Sequence, residues 1–296
     1  MTWVTLGRGR LFFVLLMLPA VVYVVAWRLA PALYTIWLSL TQYNIVYDAA
    51  PHLNRLENYR RILHDGSLSE ALRLSVIFAV IATAVELAVG LGAAAFFDSD
   101  PPGRNLLLGI FLLPMIMAPV VVGTVWSALF DRTVGPIPYL FDVLHGPDVQ
   151  WLGTPVTAMS GLIISDAWEW APLAALLLFS AMQTIPREQH EAASALGFGW
   201  LGRHVFIVLP QAGRRLLPPL VSLLVNVIQN TTLASLVGVT EILFAAKQQV
   251  ERLAAPPPAG LLQQHGFAIY GAVLVFFFVI SFPLTRLAAY LERRLV

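Results

Sequence analysis

The chain has 296 residues, of which 58% are apolar and only 12% are charged, and its formal net charge is +1. A soluble domain of this size needs far more charge to cover its surface, so the composition excludes an ordinary soluble protein. The near-neutral charge argues against a nucleic-acid partner, and the absence of cysteine excludes disulfides, thiolate metal sites and a cysteine nucleophile. We predict an all-α integral membrane protein with one domain over residues 1–296.

Six apolar stretches are long enough to cross a bilayer core, which takes about 20 mostly apolar residues per helix. In chain order they are residues 11–31, 71–97, 106–129, 155–182, 213–239 and 266–288. The first stretch follows two arginines, as a secretory signal does, but it is long for a signal and five further stretches follow. The pattern therefore predicts six transmembrane helices.

Basic residues near the span ends predict the orientation, because positive side chains at these places favour the cytoplasm. One set of arginines lies close to span ends on the same side: Arg8, Arg10, Arg104, Arg187, Arg203, Arg214, Arg215, Arg286, Arg293 and Arg294. This places both termini in the cytoplasm and the segments 42–70 and 131–154 outside. A short surface helix is predicted over 56–63, a tight turn over 98–104, and an outer loop at the proline run 256–258.

A polar loop at about residues 187–210 separates the fourth and fifth spans. Residues 187–195 are strong helix formers without a breaker, and a second short helix is predicted over 200–208. Gly197 lies between them, where it permits a turn through the left-handed conformation.

Small residues in this loop predict a surface that another protein can approach closely. Ala192, Ala193 and Ala195 leave a low-relief face, and Glu191 and Arg203 can fix the orientation of a partner through charge. An ordinary helical hairpin, with alanines serving only as helix formers, explains the residues alone equally well.

The spacing in this loop resembles the EAA loop of the permease subunits of bacterial ABC importers. In that family the loop runs Glu-Ala-Ala, then Gly, then a hydrophobic residue followed by Leu-Pro. The corresponding residues here are Glu191, Ala192, Ala193, Gly197, Ile207, Leu209 and Pro210. The resemblance implies a cytoplasmic coupling helix that docks in a groove of an ATPase subunit.

The resemblance extends over most of the chain but divides between two kinds of permease. Residues 40–44, 56–61, 113–126 and 168–172 are similar to sugar-type permeases. Residues 209–219 and 230–239 are more similar to permeases for polar amino acids, and Leu196 stands where sugar-type members usually have Asp. The resemblance thus implies a carbohydrate or polyol as cargo, with polar amino acids as the alternative.

An ABC importer permease is expected to form half of a translocation pore in the bacterial inner membrane. The resemblance implies two ABC ATPase subunits, which bind the ATP and Mg, a second permease subunit in a heterodimer, and an extracytoplasmic solute-binding protein. The chain has no phosphate-binding loop of its own, so it is not expected to be an enzyme or to hold a cofactor. All six histidines fall in predicted loops, which argues against a metal site in the membrane.

Polar side chains within the spans are candidate contacts for cargo. Asp166 and Glu169 share a helix face, and Trp168 and Trp170 flank them. A carboxylate at the bilayer centre costs about 2.5–3.5 kcal/mol, so it needs a cavity or a partner. If the span starts near Pro155, Asp166 lies about 16 Å deep. The four residues either line the translocation path or sit near the outer interface, the acids in water and the tryptophans in the aromatic belt.

The fifth span carries a polar stripe, and the second a single acid. Ser222 and three further residues form the stripe, which faces either cargo or a neighbouring helix: Asn226, Gln229 and Asn230. Glu86 is interpreted as a lone carboxylate with a structural partner. A different class of function is an intramembrane enzyme using Asp166 and Glu169 as an acid pair, although no nucleophile or metal ligand accompanies them.

Overall fold

The computed structural model describes residues 3–42, 50–54, 56–64, 66–208, 210–211, 220–221, 223–228, 242–253 and 266–295. The helices are α1 (Trp3–Val24), α2 (Ala30–Ser39), α3 (Glu57–His64), α4 (Gly66–Asp98), α5 (Arg104–Phe111), α6 (Pro119–Phe130), α7 (Pro136–Val143), α8 (Pro155–Met182), α9 (Arg187–Ala195), α10 (Trp200–Arg203), α11 (Ile242–Leu253) and α12 (Gly266–Leu295). A two-residue antiparallel ladder pairs β1 (Thr41–Gln42) with β2 (His52–Leu53). The predicted helical fold class is confirmed.

Four helical stretches in the described residues are long and apolar enough to cross a membrane. They are Phe12–Ser39, Ser69–Asp98, Pro155–Met182 and Ile269–Arg294, and they match the first, second, fourth and sixth predicted spans. The first extends beyond its predicted end through a π-helical turn at Val25–Leu29. Pro31, which lacks the N–H that a continuous helix would use, closely follows this turn.

The third predicted span, 106–129, is not one helix. α5 ends at Phe111, a 3₁₀ turn occupies Pro114–Ile116, and α6 begins only at Pro119. The prolines explain the break, since each lacks the N–H that would continue a helix and Pro119 forces its predecessor towards extended backbone. Of the fifth predicted span, 213–239, the structure describes only 220–221 and 223–228, which are helical.

Backbone contacts divide the chain into two compact units, of which the first comprises Met1–Leu68 and Ala246–Phe276. Within it, the predicted surface helix is present as α3. Asn58 donates hydrogen bonds to the carbonyls of Ser39 (3.0 Å) and Thr41 (2.9 Å), and Tyr59 bonds the Ser39 hydroxyl. Gly271 of α12 packs so closely on Ser39 that no side chain fits there. The single-domain prediction itself remains a prediction.

The second unit, Ser69–Ala245 with Phe277–Val296, is built on α4 and α8 lying side by side. Ala79 and Ala82, near the middle of α4, cluster with Ala158 and Leu162 near the start of α8, and Ala94 clusters with Leu178 and Met182 near the ends of both helices. Between these clusters, a Cβ on Gly90 would lie 2.8 Å from that of Ala174. The two helices are therefore parallel, as the predicted orientation of the second and fourth spans requires.

Candidate functional site

The loop after α8 has the predicted helix and turn. Pro186 is extended and α9 begins at Arg187, as a proline before a helix favours. The helix ends in a Schellman motif: the Phe198 N–H donates to the Ala193 carbonyl (3.1 Å) and the Gly197 N–H to that of Ser194 (3.0 Å). This motif needs a left-handed residue, and Gly197 has φ +81°. The predicted roles of the helix formers and of Gly197 in shaping the loop are confirmed.

The faces of α9 differ from the prediction at one alanine. Glu191, Ala192, Ala195, Leu196 and Gly197 are exposed, and Leu196 keeps 76% of its accessible surface. Ala193, predicted to lie on the approach surface, is only 1% exposed and points into the chain. In so short and polar a helix, the spacing of alanines does not tell which one is covered. The open surface therefore consists of the other residues, with a large apolar side chain at its end.

The second half of the loop is embedded in the helical bundle. α10 continues into a π-helical turn at His204–Val208, and Val208 is fully buried in a cluster with Ala94, Leu178 and Met182. Phe198 covers Gly202, where a Cβ would meet its ring at 3.1 Å. The exposed helix α9 is thus connected to the turn at His204–Val208, which packs against the ends of α4 and α8. We call this turn the base of the loop.

Polar contacts that no sequence pattern predicted also hold this part of the loop. Asp98 at the end of α4 receives a hydrogen bond from Gln183 Nε2 (3.0 Å), and its other oxygen lies 3.1 Å from His204 Nε2. Gln211, beyond the loop, donates to Gln189 of α9 (2.7 Å). His204, which sequence reasoning assigned to an ordinary loop, is a buried residue at 6% exposure.

Arg203, predicted to orient a partner through charge, is half-buried at the end of α10. Within the described part of the chain, its Nε has no hydrogen-bond acceptor. Among the described residues, no ion pair joins it to Glu191. The two charges predicted to orient a partner are therefore not linked to each other.

Asp166 and Glu169 share a face of α8, as predicted, and both are fully buried. Glu86 of α4 is also fully buried and faces Asp166, and Glu169 adds a third acid beside them. In the described part of the chain, none of the oxygens of these three carboxyls receives a hydrogen bond. Glu86 therefore belongs to an acidic cluster, and its neighbours are acids instead of the compensating structural partner that was expected.

The two tryptophans that neighbour Glu169 in the sequence lie in different surroundings from the acids. Trp168 is 41% exposed and, with Leu113, Pro114 and Met117, lines an apolar cavity of about 470 Å³. Its ring packs edge-on against Trp126, with centroids 5.9 Å apart. Trp170 is half-buried and its Nε1 donates to nothing in the described residues. Tryptophans and carboxylates thus occupy separate surroundings in this chain.

The polar stripe of the fifth span is seen at one residue only. Asn226 is half-buried in the helical segment 223–228, and its amide nitrogen has no acceptor in the described residues. Gln229 and Asn230 lie outside the described residues.

Residues 86–296 match the family model described as the binding-protein-dependent transport system inner membrane component. The chain belongs to this family. The match spans α4 to α12 from Glu86 onwards, and so includes the coupling-type loop and the acidic cluster. Its similar curated proteins are ABC transporter permeases, which confirms the resemblance found in the loop.

Two curated permeases illustrate the similarity. The trehalose/maltose transport system permease protein MalF of Thermococcus litoralis is 28% identical over 196 residues, which are 66% of each chain. The probable ABC transporter permease protein y4oQ of Sinorhizobium fredii is 31% identical over 181 residues, or 61% of this chain and 58% of that one. This permease therefore covers less than two thirds of the length of these relatives.

Solved structures confirm the fold of the permease. A chain of a bacterial ABC transporter involved in the import of the acidic polysaccharide alginate superposes with a TM-score of 0.73, at 16% identity over 99% of both chains. A chain of an amino acid ABC transporter with histidines superposes with a TM-score of 0.54, covering 81% of this chain and 99% of that one. At such identities the likeness concerns the fold alone.

Proposed function

We propose that this permease forms half of the translocation pore of an ATP-driven importer and that α9 is its coupling helix. The observation that carries the proposal is the construction of the loop at 187–208. An exposed helix ends in a fixed turn and stands on a base buried among the ends of α4 and α8. Such a helix can receive a push from outside the membrane and pass it to two packed helices.

The proposed mechanism uses the rigidity of the packed helices. Two partner ATPase subunits bind ATP and Mg in the cytoplasm, and one receives the open surface of α9, with Leu196 as its apolar anchor. Closure of the ATPase pair displaces α9. Because close-packed helices move as bodies and do not deform continuously, the displacement switches the pore between inward and outward access.

Six spans, with both termini in the cytoplasm of a bacterial inner membrane, complete the proposed topology. The parallel packing of α4 and α8 supports it, since the second and fourth of six spans run the same way. The segment between them must then return across the bilayer through α5 and α6. A second permease subunit, in a heterodimer, supplies the other half of the pore.

An extracytoplasmic binding protein is proposed to deliver cargo to the outer segments 42–70 and 131–154. The second segment has an ordered surface: Arg132 pairs with Asp142 (2.9 Å) and Asp148 (3.1 Å). Hydrogen bonds from Thr133 and from the Val134 N–H lower the pKa of Asp131. Support also comes from a structural neighbour, the bacterial alginate ABC transporter, which was solved in complex with an alginate pentasaccharide-bound periplasmic protein.

The proposed cargo is a carbohydrate or polyol. Relatives are named as permeases for trehalose/maltose, sn-glycerol 3-phosphate (Salmonella typhimurium) and xylose/arabinose (Haloferax volcanii). The alternative, a polar amino acid, has the support of residues 209–219 and 230–239, which are more similar to permeases for polar amino acids. The intramembrane enzyme is not proposed, because the relatives are named as permeases.

The test is capture of the chain from its own membranes in gentle detergent, followed by mass spectrometry of the proteins that travel with it. We expect an ABC ATPase, a second permease and a binding protein. Ala192→Trp, which adds bulk to the open surface of α9, should remove the ATPase only. Val134→Trp, the same bulk at a residue 82% exposed in the outer segment, is the matched control and should retain the ATPase.

Cargo is then assigned by uptake into liposomes that contain the captured assembly and ATP. Labelled trehalose, glycerol 3-phosphate, xylose and histidine are the probes. Uptake of a sugar or polyol supports the proposed cargo, and uptake of histidine alone supports the alternative. Recovery of the chain without any ATPase, while Glu191 and Gly197 are intact, would overturn the importer proposal.

A further inference from the structure

One carboxylate joins three separate segments at the end of α4. Asp98 is the last residue of α4, Gln183 directly follows α8, and His204 opens the π-helical turn after α10. One Asp98 oxygen accepts from Gln183, and the other meets His204. The coupling-type loop is therefore tied to the ends of both long helices through a single side chain.

The Asp98–His204 contact is almost free of water. Both side chains are 8% exposed, whereas Asp100, which forms an ion pair with Arg104 in the same turn, is 77% exposed. Exposed pairs contribute little because water and salt screen them. A buried hydrogen bond to a carboxylate is much stronger, since water does not compete for it. Of these two contacts, Asp98–His204 and Asp100–Arg104, only the buried one is expected to hold its segments firmly together.

His204 is the residue at which the loop enters the helical bundle. The π-helical turn that it begins ends at Val208, which packs among Ala94, Leu178 and Met182. Of the α9 side chains that the structure describes, only Ala193 is buried. A further side-chain tie of the loop, between Gln189 and Gln211, is an exposed hydrogen bond. A displacement of α9 therefore reaches α4 and α8 mainly through the turn that Asp98 holds.

We propose that Asp98 and His204 are positioning residues that make α9, α4 and α8 move as one body, an inference that rests on the proposed role of α9 as coupling helix. Neither residue needs to touch ATP or cargo. Their contact prevents the loop from sliding against the bundle when the ATPase pair closes. Without it, ATP hydrolysis continues but its movement is lost between α9 and the pore.

The test breaks the contact and measures hydrolysis and pore movement separately. His204→Leu removes the ring nitrogen that meets Asp98, and His204→Gln is the matched variant, because its amide nitrogen can still donate. The captured assembly is reconstituted in liposomes, with a single cysteine introduced at Asn226 and, in a second set, at Val156. The natural chain has no cysteine, so N-ethylmaleimide labelling of this chain reports on that position alone.

We expect His204→Leu to keep its ATP hydrolysis while the ATP-dependent change in labelling rate becomes about fivefold smaller. His204→Gln should retain most of the change. Asp100→Asn, which alters the exposed pair of the same turn, should respond like the parent. Asp98→Leu combined with His204→Leu should lose no more than Asp98→Leu alone, because that change already removes the contact that His204→Leu breaks.

Equal responses of the parent and of His204→Leu would overturn the inference while leaving the importer proposal intact. Loss of the assembly in both His204→Leu and Asp98→Leu would also overturn it, since the pair would then serve folding alone. A proportional fall of hydrolysis and labelling would have the same meaning. A parent whose labelling does not respond to ATP at either cysteine would instead count against the importer proposal, and the inference would fall with it.

Discussion

Two buried acids of α4, Asp98 and Glu86, have opposite surroundings. At the end of the helix, both oxygens of Asp98 have a partner, one in Gln183 and one in His204. At its middle, Glu86 lies against Asp166 and Glu169 on α8, and none of these carboxyls receives a hydrogen bond in the described part of the chain. We therefore expect the Asp98 contacts to act as a joint that stabilises the fold, and the acidic cluster around Glu86 to destabilise it.

Breaking the joint should have the largest effect on stability. Asp98→Leu leaves His204 and Gln183 without their shared acceptor, so we expect a loss of about 2–3 kcal/mol, as for a buried hydrogen-bonded charge. Thermal unfolding of the detergent-solubilised chain measures it. Asp100→Leu is an unsuitable control because Asp100 has a positive φ, which Leu tolerates poorly. Asp100→Asn should change the unfolding midpoint little, and an equal loss there would contradict the distinction between the two pairs.

The next largest effect on stability is expected when α4 and α8 are forced apart. Gly90→Ala places a Cβ 2.8 Å from that of Ala174 and 2.9 Å from the Ala175 backbone nitrogen, so α4 and α8 must separate. We expect a loss of about 1–3 kcal/mol. Gly92→Ala is the matched control, since a Cβ there meets nothing within 4 Å. It should stabilise the helix slightly, and similar outcomes at both glycines would refute close packing at Gly90.

Removing one acid from the cluster should raise the stability of the fold, whereas breaking the Asp98 contacts should lower it. Glu86→Leu replaces an unsatisfied buried carboxyl with an apolar side chain, so we expect a gain of about 1–2 kcal/mol. The same thermal measurement checks it. Glu70→Leu alters a carboxyl of the same helix that is 53% exposed, and should give no such gain. A fall in the midpoint for Glu86→Leu would show that the cluster stabilises the fold.

The smallest effect is expected at the turn after α9. Gly197→Ala meets no atom within 4 Å, so its cost comes from the positive φ alone, about 1 kcal/mol. Gly199→Ala, also in open space but without a positive φ, is the control. The measurement is the difference in unfolding midpoint between the two variants. No difference would mean that the turn adapts without Gly197.

Local signals explain what the sequence could predict. The bounds of α9 and the left-handed Gly197 follow from helix formers and a helix-ending glycine that are neighbours in the chain. The third span failed as a single helix because a hydropathy window adds up apolar residues across Pro114 and Pro119 without weighing their missing N–H groups. Hydropathy thus identified the apolar residues of 106–129 correctly, but it did not predict that they form two separate helices.

The contacts of the candidate sites could not be predicted in the same way. Glu86 meets Asp166, and Asp98 meets His204, across long stretches of chain, and no periodicity connects them. The inward position of Ala193 had no signal either, because α9 is short and has polar residues on several sides. Only the shared face of Asp166 and Glu169, three residues apart on one helix, was available from spacing.

The parallel arrangement of α4 and α8 has a consequence for the synthesis of the protein. In the proposed topology the chain between them must recross the bilayer, yet α6 has only 12 residues and about 20 are needed to span alone. The break before it exposes backbone groups that are tolerated at membrane depth only beside protein or a cavity, and Pro114 and Met117 line such a cavity together with Trp168 of α8. This crossing should therefore become stable only after α8 has left the ribosome, so that the third span waits for the fourth.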